Sequence, residues 1–120
     1  GVAFAIRDSL EIARSQGIEV KASKICGGGA KSPLWKRMFA NILNVQLQIL
    51  ESEQGPGMGG AMLAMVADGT YGSVQEVCDK LVKVVDTVDP EPELVALYEE
   101  RYQQYRQIYP ALKPVFAKII

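Results

Sequence analysis

The stretch KICGGGAKSPLW, residues 24–35, decides how the chain folds. Three consecutive glycines stand between a short apolar run and a segment with helical spacing. Each glycine gives up roughly 0.5–1 kcal/mol of backbone entropy relative to alanine, so a run of them implies a very tight corner or a close approach to the main chain. After the corner, Ser32 is suited to cap a helix and Pro33 to its first turn. Leu34, Met38 and Ile42 with Trp35, Phe39 and Leu43 give that helix a broad apolar face ending near Asn44. Before the corner, residues 18–26 read as a short strand, strongest over 22–26.

Where such a strand turns into a helix, open α/β sheets gather ligands, because the helix start offers main-chain N–H groups and a partial positive charge. Gly28 and Gly29 lack a Cβ, so a flat or phosphorylated ligand can lie directly against the backbone.

The same alternation continues on both sides. Val2, Ile6, Leu10 and Ala13 keep helical spacing from the first residues, and Gln16-Gly17 supplies the stop. This helix has no cap and no initiator methionine before it, so the chain is expected to be a piece of a longer protein. Val45, Leu47 and Ile49 alternate with Gln46 and Gln48, the period of a strand. Gly55-Pro56-Gly57 then leads into a helix from about Met58 to Ala67. Ser73 caps a short helix through Leu81, Val82 to Val88 is a brief extended piece, and Asp89-Pro90 opens a last helix. In that helix Leu94, Tyr98, Tyr102, Tyr105, Tyr109 and Leu112 recur every three or four residues, which favours a face docked on the body of the domain. Glu99, Glu100 and Arg101 read as its solvated side. Helices between successive strands imply parallel pairing by crossover connections, and further strands are expected upstream.

Composition narrows the function. The 120 residues carry 13 basic and 14 acidic side chains, scattered along the chain, for a net charge of -1. Nucleic acid and anionic membrane are therefore not expected partners. No apolar stretch approaches the roughly 20 residues of a bilayer span, and the cytoplasm is the expected compartment. Cys26 and Cys78 lack any metal-binding spacing and read as reduced thiols. Without a single histidine, the chain lacks the commonest general base and the commonest zinc ligand.

Two nucleotide motifs are tested at the corner. A Walker loop requires glycine immediately before the Lys-Ser pair and another five residues earlier; Ala30 and Ile25 hold those places, and it is excluded. A dinucleotide fingerprint finds Gly27 and Gly29 in place and Glu51 at the end of the next strand. Its third small position falls on Ser32, and an amphipathic helix ahead of the first strand is foreign to it.

Three segments in order, GGGAKSPLWKRMFANILNVQL, ESEQGPGMGGAMLAMVADGTY and YEERYQQYRQIYPALKPVF, resemble the C-terminal domain of the FGGY family of carbohydrate kinases, most of all its xylulokinases. The similarity runs over the whole chain, including GVAFAIRDSLEIARSQG. The resemblance implies the α/β fold of a partial ribonuclease-H-like, actin-like ATPase domain, with parallel strands, crossover helices and a helical C-terminal tail. Residues 1–71 would be the C-terminal part of that domain, and residues 72–120 an extension packed on it. It implies ATP as cosubstrate, with the adenosine part against Gly27, Gly28, Gly29 and Ala30 and with Lys31 and Ser32 beside it. Family members often place a polar side chain a few residues further on to meet the adenine, where this chain has Pro33-Leu34.

The reaction implied is phosphorylation of a sugar, D-xylulose first, with glycerol or gluconate as alternatives and a non-catalytic nucleotide-binding module as the other reading. The catalytic aspartate, magnesium contacts and sugar pocket would lie upstream, so no catalytic residue is assigned here and the segment alone is expected to be inactive. The partners implied are ATP and ADP, the sugar, and a second copy in a homodimer. Gly55, Gly57, Gly59 and Gly60 could bring the third helix close to the nucleotide, but they more simply allow two helices to approach. Trp35 could flank the adenine, but an aromatic in the first turn of an apolar helix is more simply core.

Overall fold

The computed structural model describes residues 1–51 and 55–119. Ser52, Glu53 and Gln54 of the second resembling segment lie outside them. The order is α1 (Val2–Ser15), β1 (Ala22–Ile25), α2 (Pro33–Leu43), β2 (Gln46–Leu50), α3 (Gly55–Ala67), α4 (Val74–Leu81), β3 (Val84–Val88) and α5 (Pro92–Phe116). A single 3-10 turn over Gly28–Lys31 joins β1 to α2.

The local signals act as their chemistry requires. Gly17 takes φ +83° just past α1, and Asn44, a residue tolerant of the left-handed region, takes φ 49° after α2. Ser73 Oγ accepts the N–H of Glu76 at 3.1 Å to start α4. Helix α3 begins three residues earlier than its sequence suggests, because Pro56 is admitted in a first turn whose amide needs no partner.

β1 and β2 pair in parallel, Ala22 opposite Gln46 and Ile25 opposite Ile49, with α2 as the crossover. β3 completes the order β1-β2-β3 but runs antiparallel, Leu47 opposite Val88 and Leu50 opposite Val84. The extended piece expected at residues 82–88 thus becomes an edge strand of opposite direction. The chain re-enters the sheet beside the exit of β2, where the Glu51 N–H donates to the Lys83 carbonyl at 2.9 Å, so β3 starts at that end and runs back along β2.

The core lies on one face of this sheet. Phe39, Ala40, Ile42 and Leu43 of α2 pack with Ala3 of α1 and with Val45 and Leu47. Burial of each large apolar side chain contributes roughly 1.5–3 kcal/mol, against about 1 kcal/mol for a helix cap, so packing more than capping holds α2 in place. Helix α5 joins through polar contacts to α2 and α1 and through a ring cluster. Asn41, 1% exposed, accepts the Glu91 N–H on Oδ1 at 2.6 Å and donates to the Arg37 carbonyl at 2.9 Å. Arg37 grips the Glu91 carboxylate with Nε and NH2, both at 2.6 Å. Arg37 and then Asn41 hold that carboxyl down at about 2. This anchoring makes Glu91 the cap residue and moves the start of α5 to Pro92, two residues past the Pro90 expected to open it.

Of the tyrosine series, Tyr98, Tyr102 and Tyr105 ring Phe4 at centroid distances of 6.4, 5.8 and 5.3 Å. The buried Tyr102 hydroxyl donates to Asp8 Oδ1 at 2.6 Å, and burial, followed by that bond, pushes its pKa up to about 12. Arg7 lies over the Tyr102 ring at 4.1 Å and pairs with Glu99, so Glu99 is part of the docked side of α5 and not of its solvated side. Tyr109 leaves the docked face and is 63% exposed. Among the described residues no helix is long and apolar enough to cross a membrane.

Candidate functional site

The glycine corner lies at the carboxyl end of β1, the central parallel pair directing both β1 and β2 to the same end of the sheet. Its three glycines do different things. Gly27 adopts φ 88° with ψ -178°, a combination open essentially to glycine alone, and its carbonyl accepts the Ala30 N–H at 3.0 Å to close the turn. Gly29 is required by a neighbour: a methyl group built on it would stand 2.7 Å from both Cδ1 and Nε1 of Trp35. Gly28 has neither constraint, since its φ is ordinary and a methyl group there would meet nothing within 4 Å. Ala30 turns inward and is 2% exposed.

Three main-chain donors at the start of α2 are engaged within the chain. Ser32 Oγ accepts the Trp35 N–H at 3.3 Å, the Ser32 carbonyl accepts the Lys36 N–H at 3.0 Å, and the Ser32 N–H donates to the Gly29 carbonyl at 3.2 Å. Lys31 is exposed beside the turn, and so is Leu34 at 66%.

Trp35 is half-buried, its ring 5.0 Å from that of Phe39 at an angle of 59°. Beside it an apolar crevice of about 350 Å³ opens between the corner and the first turns of α1, with Cys26, Gly29, Ala30, Trp35 and Phe39 on one side and Val2 and Ile6 on the other. All six residues marked in the sequence, Gly27, Gly28, Gly29, Ala30, Lys31 and Ser32, thus fall on one turn. The pairing of Gly29 with Trp35 has no sequence signal: it spans the junction of a turn and a helix, where neither regular spacing brings two residues into contact. Both cysteines are free thiols, Cys26 exposed at the corner and Cys78 half-buried on α4. Glu51 is exposed at the neighbouring exit of β2.

The described residues do not fit a metal site, as none of their Cys, Asp or Glu side chains gather in a group of three or more. No step in the chemistry below is assigned to a metal in this chain.

Comparison with known proteins adds four findings. The model for the C-terminal domain of the FGGY family of carbohydrate kinases matches residues 1–67. A xylulose kinase of Staphylococcus epidermidis is 35% identical over 120 residues, all of this chain and 24% of that protein. A ribulokinase of Halalkalibacterium halodurans is 38% identical over 109 residues, 86% of this chain and 19% of that protein. Among solved structures, a ligand-bound xylulose kinase from Lactobacillus acidophilus superposes with a TM-score of 0.82 at 25% identity, covering all of this chain and 24% of the other. The chain therefore spans about a quarter or less of the length of these relatives.

Proposed function

The chain belongs to the FGGY family of carbohydrate kinases, and from that premise we propose that it forms the adenosine side of the ATP cleft in a cytoplasmic sugar kinase, with D-xylulose as the acceptor. The observation that carries this reading is Gly28. Gly27 and Gly29 are accounted for by backbone conformation and by Trp35, whereas nothing within the described chain requires a glycine between them. A glycine with no internal reason suits a ligand that lies against its main chain. The open backbone at Gly28 suits the flat face of a nucleoside, and the phosphates are assigned to other parts of the protein.

In the reaction, the sugar hydroxyl oxygen forms a bond to the γ-phosphorus, the bond from that phosphorus to the β-γ bridging oxygen breaks, and ADP leaves while a base takes the hydroxyl proton. This chain's share is to hold the nucleoside in register while the enzyme closes around both substrates and keeps water out. With no base and no phosphate clamp assigned to it, the segment by itself has no kinase activity. Support for xylulose as the acceptor comes from the xylulose kinase of Staphylococcus epidermidis, which matches the whole segment. The ribulokinase relative favours a second ketose, ribulose, as the alternative acceptor.

The test is Gly28→Val in the full-length enzyme. The apparent KM for ATP is expected to rise about tenfold or more while the sugar KM stays near its original value. If neither constant moves, the corner is a turn and nothing more.

A further inference from the structure

We infer that Trp35 is the positioning residue of the nucleotide turn. Its indole edge occupies the place a Gly29 side chain would take and thereby fixes how far the backbone of Gly28 projects. The inference rests on the reading of the corner proposed above and adds a residue that need not touch the ligand.

The argument is one of continuous contact from core to turn. Phe39, 7% exposed, belongs to the main core, and its ring supports that of Trp35 at 5.0 Å. The Trp35 main chain is tied to the start of the same helix by its N–H bond to Ser32 Oγ. Held at both points, the ring presents Cδ1 and Nε1 to Gly29 at a spacing that leaves no room even for a methyl group. Close-packed groups transmit displacement, so a ring backed by the core acts as a stop against which the turn rests. The opposite side of the turn, at Gly28, is open. Against a ring held in this way, a methyl group added at Gly29 would displace the turn.

The experiment uses the full-length enzyme, with KM for ATP and for the sugar as readouts, since KM does not depend on how much of each variant folds. Gly29→Ala and Trp35→Leu are each expected to raise the ATP KM about fivefold or more and to leave the sugar KM within about twofold. Trp35→Phe keeps a ring edge against Gly29 and is expected to retain the original ATP KM. In Gly29→Ala/Trp35→Leu the added methyl fills space the indole has left, so the ATP KM should fall below that of Gly29→Ala alone. If both single variants lower the melting temperature but keep the ATP KM, or if their effects on it simply multiply in the double variant, the inference is overturned. Gly28→Val separates the two levels. An effect there with none at Gly29 or Trp35 rejects only the role of Trp35; no effect at Gly28 rejects the nucleotide reading and this inference with it.

Discussion

Two glycine-rich stretches follow the parallel strands, the corner between β1 and α2 and the opening turns of α3 after β2, and they use their glycines differently. At the first, Gly27 supplies a backbone conformation and Gly29 admits the Trp35 ring, while the helix beyond buries Phe39, Ala40, Asn41, Ile42 and Leu43. At the second, Gly55 has φ +58°, but methyl groups on Gly57, Gly59 and Gly60 would meet nothing within 4 Å. Helix α3 has no charged residue, yet Met62 is its buried residue and Leu63 is 60% exposed. A helix apolar all round is a burial element. The close helix approach considered for Gly59 and Gly60 does not occur among the described residues. The lesson is that the same residue type reports opposite things: at the first corner most glycines answer to the chain itself, and at the second most do not.

The contrast can be broken or sharpened by substitution. The largest effect is expected from Gly27→Ala, which forces a Cβ into φ 88° with ψ -178° and should cost about 1–3 kcal/mol in denaturant unfolding. A cost near zero would mean the first corner is as undemanding as the second. Ser32→Ala removes the cap of α2 and should cost about 1 kcal/mol by the same measurement. The smallest effect has the opposite sign. Gly60→Ala, in the middle of α3 with open space at its Cβ, should stabilise the segment by about 0.4–1 kcal/mol through the unfolded state and helix propensity. Destabilisation there would show that a close neighbour requires the glycine, and the two corners would become alike.

Sequence conveyed most where a single residue decides a local conformation. Gly17, Ser32, Pro33, Asn44 and Ser73 terminate or start their helices as their chemistry dictates, and the alternation of Val45, Leu47 and Ile49 marks β2. It conveyed least where distant contacts decide. Pro90 and Pro92 are equally good at opening a helix, and the choice between them is made by Asn41 and Arg37 on α2, some fifty residues away in the chain. The direction of β3 follows from the return of the chain beside Glu51, which no periodicity encodes. At the site, all six expected residues share one turn, but the unequal duties of the three glycines required knowing where Trp35 stands.

The last helix carries its own weak point. Pro110 and Pro114 lie inside α5 and bring no amide hydrogen, so two rungs are missing from its final turns, those that would have met the carbonyls of Arg106 and Pro110. Fraying that starts at the C-terminus therefore crosses an already thinned ladder before it reaches Tyr102, where the bond to Asp8 and the Phe4 ring cluster resist it. Deuterium should enter the two halves of this one helix at separate rates, as though they were different elements.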